Sequence, residues 1–274
     1  MNIPLFKNKF FVNSRKLNTV NRATLERDNF IEWLRGFSDA SQKALVVFGT
    51  NLTSTVGEKF TLKQLAMVQL APYQYSVIIG LMLSDGWLIF GSKTSKNARL
   101  GFKQSANHAS YVFFVFNILS HYCNSIPRLT TGIRAGKRFY GLEFYSRSMP
   151  CMSELHSLFY LAGKKVVPQN IYNILTPIAL AHLIMGDGSV SRHGLILCTN
   201  SYTIQDVVRL MNVLIIRHRL ECSLRLHRQN NKNGYEIYIR QRSMPLLRTI
   251  VTPYLHPSML YKVGLVGEVG NLVL

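Results

Sequence analysis

The sequence predicts an α+β fold made of two pseudo-symmetric αββαββα repeats, and three observations carry that prediction. The tetrapeptide Arg-Ser-Met-Pro occurs at 147–150 and again at 242–245, and its flanks agree: Tyr140-x-Leu142-x-Phe144 precedes the first copy, Tyr235-x-Ile237-x-Ile239 the second. Two helical stretches, VIIGLML (77–83) and ALAHLIM (179–185), are apolar almost all round, and both lead into Asp-Gly. Between them and the RSMP copies, apolar residues alternate with basic and polar ones at the period of a strand. Two copies are too few for a solenoid, so a pseudo-twofold pair is the natural architecture.

Each element follows from its residues. Residues 1–70 lie outside the duplication and read as an N-terminal extension. The first repeat, 71–162, opens with Pro72, a residue suited to a first helical turn. Its apolar helix has no polar face, the mark of a buried rod. LGFKQS (100–105) reads as a strand with a polar turn, and SYVFFVFNILSHY (110–122) as a helix. RLTTGIRAGKRFYG (128–141) reads as a hairpin across a Gly-containing turn. Pro150 then starts the helix CMSELHSLFYL. A joining segment, 163–175, leads to the second repeat and tail, 176–274, where Thr176 and Pro177 form an N-cap and first-turn pair. There LILCTN (195–200), the helix through DVVRLMNVLIIRH, the hairpin SLRLHRQNNKNGYE and the Pro245 helix repeat the order. Gly86 and Gly188 are expected at left-handed positions that stop the two buried helices.

The charge balance is lopsided: 32 Lys+Arg against 13 Asp+Glu, net +19. A cationic excess of this size destabilises a compact chain by self-repulsion and points to a polyanionic partner, nucleic acid first. Cys123, Cys151, Cys198 and Cys222 form no CxxC pair, and the histidines no HExxH, so zinc is not expected and the thiols read as reduced core residues. No stretch of about 18 apolar residues is present, which argues against a transmembrane helix.

Against that background Asp85 and Asp187 stand out. Each lies where a buried helix ends, and the helix dipole disfavours an acid there. If the helices pair about the pseudo-twofold, two carboxylates meet near one axis, a repulsive arrangement unless a cation lies between them. Placing an acid twice where it costs stability points to a hard metal ion.

The stretches IIGLMLSDG (78–86) and LAHLIMGDG (180–188) resemble the paired motifs of the LAGLIDADG homing endonucleases, in the single-chain, two-motif branch. KKVVPQNIYNILTPIALAHLIMGDG (164–188) and MPLLRTIVTPYLHPSMLYK (244–262) resemble the joining segment and carboxy terminus of that branch. The resemblance covers Tyr73 to about Lys262, and the whole is similar to enzymes encoded in mitochondrial group I introns of fungi. It implies a monomeric, site-specific double-strand DNA endonuclease with its motif helices paired beneath a saddle of antiparallel sheets. Metal would be Mg2+ (or Mn2+), held by Asp85 and Asp187 with the Ser84 and Gly186 carbonyls as secondary ligands. Lys165 and Lys262 would support the transition state electrostatically, and Gln104 and Asn200, taken as corresponding strand ends, would position water. Gly80, Ser84, His182 and Gly186 would form the helix interface, His182 replacing the motif glycine as a packing residue.

DNA-facing candidates by alternation are Lys93, Arg99, Lys103, Arg134, Lys137, Arg138, Arg192, Arg225, Arg228, Lys232 and Arg240. The scaffold also implies an alternative role as a group I intron RNA maturase, and a mitochondrial location. NFIEWLRGFSDASQ (29–42) resembles the motif of another subtype, but Ser41 and Gln42 stand where the acid and glycine belong, so 30–40 reads as a degenerate relic. Residues 45–66 are expected to pack on the first repeat or touch flanking DNA.

Overall fold

The structure, a computed structural model, describes residues 55–134, 136–229 and 232–265. The relic stretch at 30–40 and the tail from 266 lie outside the described residues, as do the side chains of Arg134, Arg228 and Lys232.

The chain runs α1 (Leu62–Met67), α2 (Pro72–Leu83), β1 (Trp87–Phe90), β2 (Ala98–Ser105), α3 (Ala109–Leu119), β3 (Arg128–Arg134), β4 (Lys137–Tyr145) and α4 (Pro150–Phe159). A short hairpin, β5 (Tyr160–Leu161) and β6 (Lys164–Lys165), and α5 (Ile171–Ile174) lead to the second half. That half is α6 (Pro177–Asp187), β7 (Gly188–Ser191), β8 (Gly194–Leu197), α7 (Ile204–Ile216), β9 (Cys222–Gln229), β10 (Lys232–Ile239), α8 (Met244–Val251) and a 3₁₀ segment, Pro257–Val263. From α2 to α4 and from α6 to α8 the order is αββαββα twice. The sheets repeat it as well: one is ordered β1-β2-β4-β3, the other β7-β8-β10-β9, and all pairings are antiparallel.

Helices cover one face of each sheet, and α2 and α6 pack on each other at the centre. Residues 76–83 and 179–185 are buried without interruption, as their apolar circumference requires. The helices approach so closely that a Cβ on Gly80 would lie 2.4 Å from the Ala179 carbonyl oxygen and 2.6 Å from the His182 Cβ. Gly86 and Gly188 do not adopt the left-handed conformation expected of them; Gly188 is extended at φ −77. They are small for another reason. Each chain turns back so tightly into its strand that a Cβ would meet the Leu81 carbonyl at 2.9 Å or the Ile184 carbonyl at 2.5 Å.

The two RSMP copies share their fold position but not their partners. Arg147 is buried, donates to the Thr55 and Glu58 carbonyls and lies over the Phe60 ring, fastening residues 55–60 to the first half. Tyr122 holds the approach to α2, donating to the Gln69 carbonyl. Arg242 instead lies on the surface in an ion pair with Glu221.

Candidate active site and nucleic-acid interface

The carboxylates converge because α2 and α6 end side by side. The Ser84 hydroxyl donates back to the Gly80 carbonyl at 3.0 Å, and Asp85 follows just beyond the helix. Asp187 is the last residue of α6. A Cβ on Gly186 would lie 2.5 Å from Ser84 Oγ and 2.9 Å from Asp85 Oδ2, so the first carboxylate rests directly against the end of the second helix.

Two lysines reach this place with matching geometry. Lys165 Nζ, from β6, donates to the carbonyls of Ser84 at 3.0 Å and Gly86 at 2.7 Å. Lys262 Nζ, from the 3₁₀ segment, donates to those of Gly186 at 3.1 Å and Gly188 at 2.9 Å. Each ammonium thus holds the carbonyls on either side of its aspartate, at a helix end where the dipole favours a cation. The Ser84 and Gly186 carbonyls, metal ligands by the resemblance alone, each already accept a lysine proton, which leaves one lone pair apiece.

Burial dominates the electrostatics. It raises the Asp85 carboxyl against the pull of Lys262, the Gln104 hydrogen bond, Lys165 and His108. Asp187 is pushed up to about 7 by burial and then by the Asp85 charge, with Lys165 and Lys262 opposing. Burial lowers Lys165 to about 8 against both aspartates, and lowers Lys262 too. Among the described residues no group of three or more His, Cys, Asp or Glu side chains gathers that could hold a metal ion. The donor set still fits a hard divalent ion: two strained carboxylates, with carbonyl, water and phosphate oxygens completing the shell, are the oxygen ligands such a cation takes.

Gln104 donates from Nε2 to Asp85 Oδ2 in a very short contact, and His108 Nδ1 lies 3.4 Å from Gln104 Oε1. Asn200 does not occupy the equivalent place. Trp87 pairs with Gly101, and Ser189 with Ile196, so three residues on, Gln104 corresponds to Thr199 and Asn200 to Ser105. Thr199 is buried and donates to the Tyr235 carbonyl at 2.7 Å. Asn200 is exposed, with its Cα and Cβ packed against Gly234. Among the described residues no hydrogen bond reaches the Asp187 carboxylate.

His182 is fully buried, stacked between Tyr111 (6.3 Å) and Phe114 (6.0 Å), and burial lowers its pKa to about 3. Its two nitrogens and the Tyr111 hydroxyl have no hydrogen-bond partner among the described residues. It faces the partner helix at Gly80, away from any titration near neutral pH.

Each sheet leaves its other face open and lines it with cations over aromatic rings. On the first, Arg99 lies over Tyr145 at 4.3 Å and Lys103 over Phe139 at 5.9 Å, with Trp87 folded across Gly101. On the second, Arg225 lies over Tyr238 at 3.3 Å, and Tyr238 covers Gly194. Lys93, Lys137, Arg192 and Arg240 are exposed at loops and strand ends.

Arg138 is a correction. It neighbours Lys137 in β4, shares the face of Leu142 and buried Phe144, and so lies opposite the open face. Cys198 is another: it is exposed rather than in the core. Arg128 is a residue the sequence reading missed. It is paired across the strands with Glu143, and its Nε and Nη2 donate to Glu143 Oε2 at 3.2 and 3.0 Å. Counting the pairing inward from Arg134 and Lys137 would have found it, and would also have separated Lys137 from Arg138.

Known proteins resemble this chain in sequence and in fold. The chain is 35% identical over 176 residues to the cytochrome b mRNA maturase bI2 of Debaryomyces hansenii, an alignment covering 63% of this chain and 66% of that protein. It is 32% identical over 159 residues to the intron-encoded endonuclease ai4 of Dictyostelium discoideum, covering 56% of this chain and 99% of the relative. Its fold superimposes on the homing endonuclease I-WcaI bound to its DNA recognition sequence with a TM-score of 0.67 and 24% identity, over 75% of this chain and 93% of that one. The LAGLIDADG DNA endonuclease family matches residues 75–247, well over half the sequence, and the chain belongs to that family.

Proposed function

We propose that this protein is a site-specific double-strand DNA endonuclease that hydrolyses phosphodiesters at a long asymmetric intron-insertion target, acting as a monomer in the mitochondrion. The observation that carries the reading is the meeting of Asp85 and Asp187, each beside a lysine clamped on its own helix end, between two cationic sheet faces. The open faces present Arg99, Lys103, Arg225 and the exposed lysines and arginines to a duplex, with phosphate contacts for affinity and arginine on base edges for specificity.

At the centre, Asp85 and Asp187 would hold Mg2+ or Mn2+, which when bound supplies Lewis acidity at the scissile phosphates and lowers the pKa of attacking water. Gln104 orients the Asp85 carboxylate. Lys165 and Lys262 lie beside the place where negative charge develops, pre-positioned by the carbonyls they grip, and stabilise it without reorganising. Incubation with Mg2+ and a duplex spanning the uninterrupted insertion site tests the reading. The expected result is double-strand cleavage at one position; no cutting by folded, DNA-bound protein would defeat it.

The 35% identity to a cytochrome b mRNA maturase favours a second reading, in which the same chain binds its own group I intron RNA and assists splicing. The double variant Asp85→Asn/Asp187→Asn separates the two: cleavage is lost, whereas splicing assistance persists if it rests on RNA binding alone.

A further inference from the structure

The two carboxylates are not served alike, and the difference has a direction that donor and acceptor chemistry fixes. An ionised Asp85 only accepts, so Gln104 presents its Nε2 to Oδ2 and turns Oε1 away. Oε1 also only accepts. Its neighbour is His108 Nδ1 at 3.4 Å, which must therefore carry a proton. A neutral imidazole then offers Nε2 as an acceptor, and the Tyr261 hydroxyl lies 3.5 Å from it. Burial, and then the Lys262 charge, lower the His108 pKa against the opposing pull of Asp85, which favours the neutral ring. Tyr261 precedes Lys262 in the 3₁₀ segment of the second half, so the chain crosses between the halves. At the register of Gln104 the second half has Thr199, which is spent on the Tyr235 carbonyl.

We infer that His108 is a positioning residue of the Asp85 centre, acting through the Gln104 amide and braced by Tyr261, and that the two halves are therefore unequal in hydrolysis. This rests on the nuclease reading above. The two outer contacts are long, as such contacts commonly are before a substrate tightens them. Without the His108 donor the Gln104 amide is free to rotate and its hold on Asp85 loosens, while nothing changes at Asp187.

The test is single-turnover cleavage of a duplex labelled separately on each strand, in Mg2+. His108→Ala slows one strand about 10–100-fold, the range for lost supporting hydrogen bonds around a metal-binding carboxylate. The other strand changes by less than about twofold, since its carboxylate shares no link of the chain. His108→Asn, whose amide nitrogen can donate from the position of Nδ1, recovers most of the rate. Equal slowing of both strands, no slowing, or no recovery by His108→Asn overturns the inference.

A second readout needs no cleavage. Long-range 1H–15N correlation spectra of the metal-free wild-type protein show His108 protonated on Nδ1, and protonation on Nε2 overturns the chain. If the wild type cuts neither strand, the nuclease reading fails while the tautomer still decides whether Tyr261, His108 and Gln104 are connected as described.

Discussion

Replacing Asp187 by Asn in the metal-free protein should stabilise it, although Asp187 is assigned to the reaction centre. The Asp187 carboxyl moves from an ordinary value of 3.8 up to about 7 on folding, through burial and the Asp85 charge. Between those values the folded chain holds a proton that the unfolded chain has released, so stability falls as pH rises through this window and stays low above it. The difference between those two values corresponds to ~4 kcal/mol at most. Because Asp85 and the lysines share the strain, roughly 2–4 kcal/mol is expected for the single substitution. At about 2–4 °C per kcal/mol for a domain of this size, the melting temperature of Asp187→Asn in EDTA at pH 8 rises by roughly 5–10 °C. The gain shrinks toward zero as pH falls to about 4, where the carboxyl is increasingly protonated in both states. With Mg2+ the order reverses, because the ion stabilises only the protein that binds it. Thermal denaturation at several pH values, with EDTA and with Mg2+, measures all three effects. A lower melting temperature for Asp187→Asn in EDTA at pH 8 would refute the claim that the carboxylates are held under electrostatic strain.

Other outcomes follow from the same geometry. Gly186→Ala should destabilise by about 1–3 kcal/mol through overpacking; adding Ser84→Gly should recover part of this in urea titrations, because the nearest clash is with the Ser84 side chain. Gly80→Ala has no such rescue, since its nearest neighbour is the Ala179 carbonyl. Lys165→Met and Lys262→Met should each lower single-turnover cleavage by about 10²–10³-fold, the scale of a lost pre-positioned charge donor, with DNA affinity nearly unchanged in a gel-shift assay. Arg147→Ala should expose residues 55–60 to limited proteolysis, because it removes their carbonyl and ring contacts. Arg242→Ala, at a surface ion pair, should shift stability by less than about 0.5 kcal/mol.

The sequence by itself determined the duplication, the two buried helices, the acids at their ends and the cationic strands. All of these are local periodicities or repeated words, and a chain shows them without folding. It also nominated Lys165 and Lys262, through the resemblance of their segments to a known family. Tertiary structure decided what depends on register and on close approach. Whether Asn200 or Thr199 matches Gln104 is a matter of strand pairing, and one residue of slip changes the face a side chain takes. The same alternation put Arg138 behind the sheet and Arg128 on its open face. Gly86 and Gly188 looked like turn residues, and only coordinates reveal that a carbonyl fills the space a Cβ would need. The Tyr261–His108–Gln104–Asp85 chain joins residues up to 176 positions apart in the sequence. No spacing encodes it, because those groups meet only when the halves close around α2 and α6.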